Sequence, residues 1–119
     1  MKTKRDNAES EAFKTQALKS LNKYEEAFLK YSKENPAGKI KVERKSLNLL
    51  LIRLEDKGVF RLEARHDLGL MEFQSPTMGL NSFKYCPQNN YWKSMTPESI
   101  LDGMLVREFI KNCQGMLEL

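Results

Sequence analysis

The sequence has few of the residues on which metal centres and thiol chemistry depend. It contains one histidine, His66, and two cysteines, Cys86 and Cys113, which stand far apart and form no Cys-x-x-Cys pattern. Structural zinc sites need four Cys or His ligands at short, regular spacings, so the sequence argues against one. We expect the cysteines to be buried free thiols, with a single disulfide between them as the alternative.

Long apolar runs and phosphate-binding loops are missing too. The longest apolar stretch, Leu49–Ile52, is far shorter than the roughly 18 residues that a membrane span needs. Neither the dinucleotide-binding nor the Walker glycine motif occurs. His66-Asp67 has no nucleophile motif around it, and nothing local supplies the positive setting that a catalytic thiol at Cys86 would need. The sequence therefore predicts no enzyme activity and no cofactor.

Positive charge is concentrated near the N-terminus. The chain of 119 residues has a formal net charge of +4, and its first 45 residues hold 12 basic and 7 acidic side chains, against 8 and 9 in the remainder. Such a segment attracts anionic neighbours at long range, whether RNA, an acidic protein or an anionic lipid surface, and a solvated helix face is the alternative interpretation. RNA contact, if present, is expected through phosphates, at Lys2, Lys4, Arg5, Lys39, Lys41, Arg44 and Lys45. The aromatic residues available for base stacking are expected to lie away from the basic helix: Tyr85, Tyr91 and Trp92.

Hydrophobic spacing predicts a helix, then an antiparallel sheet, then a second helix. Apolar residues at steps of three and four predict the first helix from about Asn7 to Lys33, and Asn35-Pro-Ala-Gly38 ends it. The second helix is expected to start at Thr96-Pro97-Glu98 and to end at Gly115. Between the helices, alternating apolar and polar residues predict short strands at Ile40–Val42, Ser46–Leu54, Val59–Ala64, Gly69–Gln74, Ser82–Tyr85 and Tyr91–Lys93.

These elements predict an α+β fold, a two-layer sandwich with both helices packed on one face of the sheet. We expect a polar extension over residues 1–8, one domain over 9–115 and a short tail over 116–119. The opposite sheet face is expected to present Leu49, Leu51, Arg61, Leu70 and Glu72, and three leucines there exceed what an ordinary solvent-exposed face needs. The expected core comprises Phe13, Leu21, Phe28, Ile52, Phe60, Leu62, Met71, Phe73, Leu101 and Leu105.

Several short motifs are similar to those of the frataxin family. Gly58-Val-Phe-Arg-Leu resembles the family's glycine-led strand, and Gly69-Leu-Met-Glu-Phe-Gln-Ser-Pro76 resembles its strand ending in Ser-Pro. The likeness continues with the final helix and with Gly79, Phe83-Lys-Tyr85 and Tyr91-Trp92. The family's fold, helix followed by antiparallel sheet and helix, matches the order that the hydrophobic pattern predicts.

The resemblance implies a protein of mitochondria or bacteria that assists iron–sulfur cluster assembly on a complex of cysteine desulfurase and scaffold. It implies weak iron binding through an acidic ridge on the first helix and first strand, and docking through the open sheet face. The family's exposed docking Trp falls on Glu72 here, which replaces a large flat contact with a charge.

The acidic ridge is not maintained in this sequence. Hard cations need several oxygen ligands that converge on one point. No two of the acids in the predicted first helix are three or four residues apart, so they do not share a face: Glu9, Glu11, Glu25, Glu26 and Glu34. Lys19 and Lys23 occupy the surface between them and repel an approaching cation. A weak iron site formed by Glu25, Glu26 and Glu43 is the alternative.

The leading hypothesis is a divergent frataxin-like protein of the mitochondrial matrix that has lost the iron-binding surface and serves as a non-catalytic subunit or assembly factor of a larger complex. The alternatives are a frataxin that acts on the desulfurase and scaffold complex by contact, and an RNA-contacting subunit of a ribonucleoprotein. The residues expected to face partner subunits are Leu49, Leu51, Leu70, Glu72 and Arg61, with a basic flank of Lys19, Lys23, Lys39 and Lys41.

Overall fold

Two helices pack on one face of a six-stranded antiparallel sheet in the computed structural model of the chain. The structure describes residues 4–55, 57–95, 99–113 and 117–119, with side chains from residue 11 onward. Strands that are consecutive in the sequence are neighbours throughout the sheet, so each connection joins adjacent antiparallel strands. The predicted α+β sandwich is confirmed. The elements are α1 (Lys4–Glu34), a 3-10 turn (Pro36–Gly38), β1 (Lys41–Ser46), β2 (Leu49–Arg53), β3 (Val59–Arg65), β4 (Leu70–Gln74), β5 (Asn81–Cys86), β6 (Tyr91–Ser94) and α2 (Leu101–Asn112).

The apolar stripe of α1 packs on the inner face of the sheet, as its spacing predicts. Its buried side chains recur at steps of three and four along the helix: Ala17, Leu21, Tyr24, Phe28 and Tyr31. Phe13 was expected in the core but is only partly buried, because it packs at the margin, edge-on to His66 and Trp92. The helix begins at Lys4, earlier than expected, and ends before the Pro36–Gly38 turn, as predicted.

The predicted single strand Ser46–Leu54 is wrong, because a tight turn at Leu47 and Asn48 divides it. The backbone N–H of Asn48 donates to the Ser46 hydroxyl at 3.1 Å, and Arg44 donates to the carbonyls of Ser46 and Leu47, each at 2.8 Å. Ser46 therefore ends β1, and the apolar run belongs to β2 alone. Short polar side chains that bond nearby backbone groups favour turns over strands, and that signal outweighs the apolar run.

Aromatic rings from both layers meet at the centre of the core. Phe28 of α1 packs edge-on against Phe60 of β3 and Phe109 of α2, with ring centroids 6.3 and 5.5 Å apart. Phe73 of β4 contacts Phe60 at 5.6 Å. These side chains and the other predicted core residues except Phe13 are fully or almost fully buried. Apolar burial between the sheet and the two helices thus takes place on one face of the sheet.

The second helix begins later than the sequence predicts. The expected start at Thr96-Pro97-Glu98 and the expected end at Gly115 both lie outside the described residues, but Ile100 has extended backbone angles and forms a bridge to Lys93 of β6. Ile100 is 43% exposed and does not join the apolar stripe. The stripe starts at Leu101, the first residue of the helix, and continues through Met104, Leu105 and Phe109.

Gly58 and Pro76 belong to two separate sequence motifs, and the fold brings them into contact. Gly58 has a φ of +116°, which side-chain-bearing residues rarely adopt, and an added Cβ would lie 2.8 Å from the Cγ of Pro76. The turn between β2 and β3 therefore packs tightly on the loop that follows β4.

Gly58→Ala should destabilise the fold by about 2 kcal/mol, since the methyl group adds a steric clash to an unfavourable backbone angle. Urea unfolding followed by circular dichroism measures the change. Gly79→Ala is the matched control, because no atom lies within 4 Å of its added Cβ. Equal stability of the two variants would show that the Gly58 contact does not constrain this turn.

Candidate functional site

The three acids of the possible iron site do not come together. Glu25 lies on α1, where its carboxylate contacts the Arg44 guanidinium at 3.0 Å, and Glu26 is exposed on the same helix. Glu43 pairs with Leu51 and belongs to the outer face of the sheet, away from both helices. The sheet thus separates Glu43 from the helical acids. The residues that the structure describes contain no group of three or more His, Cys, Asp or Glu side chains that could hold a metal ion.

Glu43 is surrounded by cations. Lys45 and Arg53 contact its carboxylate at 2.8 and 2.7 Å, and Lys41 lies 3.8 Å away. Hydrogen bonds from Lys45 and then Arg53 lower the pKa of Glu43 to about 2. The carboxylate is therefore ionised at neutral pH, but its oxygens are already engaged by ammonium and guanidinium groups.

The outer face of the sheet carries the predicted leucines where the register expects them. Leu49, Leu51 and Leu70 are all partly exposed, and no described helix covers them. Arg61 lies opposite Leu51 on the neighbouring strand. We call these four residues and their outward-facing neighbours on β1 to β6 the outer face.

Glu72 is not available to a partner as expected, because it is only 5% exposed. Arg65 lies 3.4 Å and Arg61 3.9 Å from its carboxylate, and both come from the adjacent strand β3. Arg61 also pairs with Glu63, and Arg65 pairs with Asp67 at 2.9 Å, which lowers the pKa of Asp67 through their hydrogen bond. Long arginine side chains thus cover the carboxylate and neutralise the centre of the outer face.

The predicted basic flank does not form one surface. Lys23 of α1 pairs with Asp102 of α2 at 2.8 Å, and Lys39 pairs with Glu55 at 3.5 Å. Lys41 contributes to the Glu43 cluster on the outer face. Lys19 is exposed on α1 and has no ion pair within the described part of the chain. Three of the four lysines are therefore partly neutralised by different acids in different places.

The aromatic residues considered for base stacking mostly point inward. Trp92 is only 3% exposed, its indole N–H donates to the Ser20 hydroxyl of α1 at 2.8 Å, and Tyr85 packs against its ring at 5.2 Å. The expectation that these rings lie away from the basic helix is therefore wrong for Trp92. Strand alternation predicts the inward orientation of Trp92, because Phe83 and Tyr85 lie on the same inner face of β5 and Trp92 pairs with Tyr85. Tyr91 pairs with Cys86 and faces outward.

The remaining reactive side chains, those of His66 and the two cysteines, lie in separate surroundings. The His66 ring lies 2.7 Å from the Asn48 side-chain oxygen, whereas the neighbouring Asp67 is held by Arg65. Cys86 and Cys113 are free thiols, as predicted, but both are partly exposed instead of buried. Burial nevertheless raises the pKa of the Cys113 thiol, although nearby Lys57 opposes the shift.

Comparison with solved structures finds a close architectural match. The crystal structure of trimeric frataxin from the yeast Saccharomyces cerevisiae, solved in a ferrous complex, superposes with a TM-score of 0.73 over 84% of this chain and 87% of that chain. The fold is that of frataxin. Sequence identity to the yeast protein is 19%, so the likeness shows the frataxin fold alone. No protein-family model matches the sequence, and neither does any curated protein.

The residues that sequence reasoning missed are the arginines that neutralise acids in this frataxin-like fold. Arg44 reaches Asn22 and Glu25 of α1 at 3.0 Å each, and Arg65 covers Glu72. Alternation along β3 places Arg65 on the same face as Arg61 and could have indicated its role.

Among the described residues, no helix is long and apolar enough to cross a membrane.

Replacing Lys45 and Arg53 by alanine should raise the pKa of Glu43 from about 2 towards its ordinary value of 4.5, because the groups that stabilise its ionised form are gone. Carboxyl carbon chemical shifts followed against pH measure the change. Lys14→Ala, on the helical layer, should leave the titration of Glu43 unchanged. A Glu43 that already titrates near 4.5 in the wild-type protein would contradict the ion-pair cluster.

Proposed function

We propose that this frataxin-like protein is a non-catalytic binding subunit of a larger mitochondrial protein complex, and that it docks through its outer face without an iron site on α1 and β1. The observation that carries the proposal is the contrast between two surfaces. Glu25 of α1 and Glu43 of β1 lie on opposite sides of the sheet and are each held by cations, whereas leucines on the outer face remain uncovered.

The outer face has the make-up of a protein interface. Its apolar residues Leu49 and Leu51 lie side by side with Leu70 two strands away, while Arg and Glu side chains around them are already paired. Interfaces have an apolar centre with few unpaired charges and a polar rim. Because both helices cover the opposite face, burial of these leucines requires another molecule.

Iron binding at α1 and β1 would require large rearrangement. A hard cation needs several converging oxygen ligands, and here it would have to displace Lys45 and Arg53 from Glu43 and Arg44 from Glu25. Even then, Glu25 and Glu43 lie on opposite sides of the sheet. These contacts support a protein whose frataxin-like body serves binding and does not store iron.

Two other roles follow from the fold and the charge. Contact with a desulfurase and scaffold complex is supported by the frataxin-like fold and the uncovered outer face. Stimulated sulfide production in a reconstituted desulfurase assay would favour this role over that of a structural subunit. RNA contact through lysine and arginine side chains would show steep loss of affinity with added salt, although the inward-facing Trp92 is not available for stacking.

Docking can be tested by tagging the chain in its native cells and measuring the size of the assembly that contains it by sedimentation. The wild-type chain should sediment with a large complex, and Leu51→Asp with Leu70→Asp should release it as a small free protein, since two charges enter the apolar centre of the interface. Leu29→Asp is the control, because Leu29 is exposed on α1. A free wild-type chain, or equal release by Leu29→Asp, would sink the proposal.

Ferrous iron titrated anaerobically into the purified chain should show no saturable binding at micromolar concentration, since no set of free carboxylates converges on α1 and β1 in the described structure. Isothermal calorimetry measures the binding, with a known ferrous-binding protein as the positive control. Several micromolar sites would mean that the ridge still binds iron, and the structural role would then be wrong.

A further inference from the structure

Two lysines stand directly opposite each other on the outer face, at the end formed by β5 and β6. Lys84 of β5 and Lys93 of β6 are cross-strand partners, and both are exposed. Side chains at directly opposite positions of an antiparallel pair lie about 5 Å apart, and like charges there destabilise the sheet. The pair therefore lowers the stability of the isolated chain.

Little in the described structure compensates this charge. The described ion pairs of the outer face lie on β1 to β4 and in the turn that follows β3, where every arginine has an acidic neighbour. Strands β5 and β6 contain no acidic residue, and Lys84 and Lys93 form no ion pair within the described ranges. Among the described residues, this end of the outer face therefore holds two positive charges without an acidic partner, whereas at the β1 end Lys41, Lys45 and Arg53 share Glu43.

The lysine pair is surrounded by apolar groups. The register between β4 and β5, continued by one residue, places Lys84 beside Leu70, and Ile100 bridges to Lys93 from the other side. Ile100 is 43% exposed, and the Tyr91 ring lies on the same face. A ligand that covers the charges would therefore also cover leucine, isoleucine and tyrosine side chains.

We propose that Lys84 and Lys93 form an acidic-partner site, which binds a protein segment carrying acidic side chains next to an apolar one. The inference rests on docking through the outer face and adds the chemistry of the partner. Opposite charges across an interface favour encounter and fix the register of the partners. A partner carboxylate would also remove the repulsion between the two ammonium groups.

The surroundings favour a protein over nucleic acid. Binding along a phosphate backbone uses many cations, and only two are unpaired here, because Arg65 is already held by Asp67 and Glu72. Phosphates would leave Leu70 and Ile100 in water. Lys19 of α1 is unpaired among the described residues but stands alone, since Lys23, one turn further along the helix, pairs with Asp102, and Lys30 pairs with Glu118.

The test is an NMR titration of the purified chain with a blocked Glu-Glu-Leu-Glu-Glu peptide. The largest amide shifts should occur at residues 84, 91 and 93, and a Lys-Lys-Leu-Lys-Lys peptide should produce none. Lys84→Glu with Lys93→Glu should weaken binding at least about tenfold. Lys14→Glu with Lys33→Glu makes the same change in net charge on α1 and should weaken it less than about twofold.

The thermal stability of the Lys84 and Lys93 variants distinguishes a loss of peptide binding from a loss of folding. The double variant at 84 and 93 retains a like-charge pair, so its Tm should stay near that of the wild type, whereas Lys84→Glu alone should raise Tm by creating an opposite-charge pair. Shifts confined to α1, equal weakening by both double variants, or selective binding of hexauridylate or phosphatidylserine vesicles at residues 84 and 93 would overturn the proposal.

The two proposals fail differently. If Leu51→Asp with Leu70→Asp releases the chain from its complex while the Lys84 and Lys93 variant stays bound, docking stands and the acidic-partner site is wrong. If the leucine variant stays in the complex, docking through the outer face is wrong, whatever the peptide does.

Discussion

Burial of one sheet face under two helices is the constraint from which the rest of the molecule follows. Phe60 and Phe73 of the sheet pack with Phe28 and Phe109 of the helices, and this cluster joins the two layers. Because strand side chains alternate, fixing the inner face also fixes the outer one. The outer face is therefore a consequence of core packing, and its residues are free to serve binding.

Charge pairing then determines what each surface can do. Glu43 and Glu72 are both ionisable groups on the outer face, but arginine and lysine neighbours hold both of them. A carboxylate already held by two cations is a poor metal ligand, and one covered by arginine stems contributes little to a protein contact. The uncovered leucines and the opposed lysines Lys84 and Lys93 are the residues of the outer face through which we propose that a partner binds.

Likeness to frataxin explains the body of the protein better than its surface. The Gly58 and Pro76 contact shows why two distant motifs of the resemblance occur together, since one packs on the other. No such packing requirement applies to Glu25, Glu26 or the exposed lysines. A fold is set by its buried contacts, and a function is set by the surface it presents, so the two can diverge.

Periodicity alone was sufficient for the order of helix, antiparallel meander and helix, and for the core residues from Leu21 to Leu105, because alternation and helical spacing are local properties of the chain. The turn at Asn48 and the start of α2 at Leu101 depended on competing local bonds and on the bridge between Ile100 and Lys93. Only the tertiary structure decided which acids meet which cations. Arg44 lies beside Glu25, and Trp92 lies against Ser20, because the packing of α1 on the sheet joins residues that are far apart in the sequence.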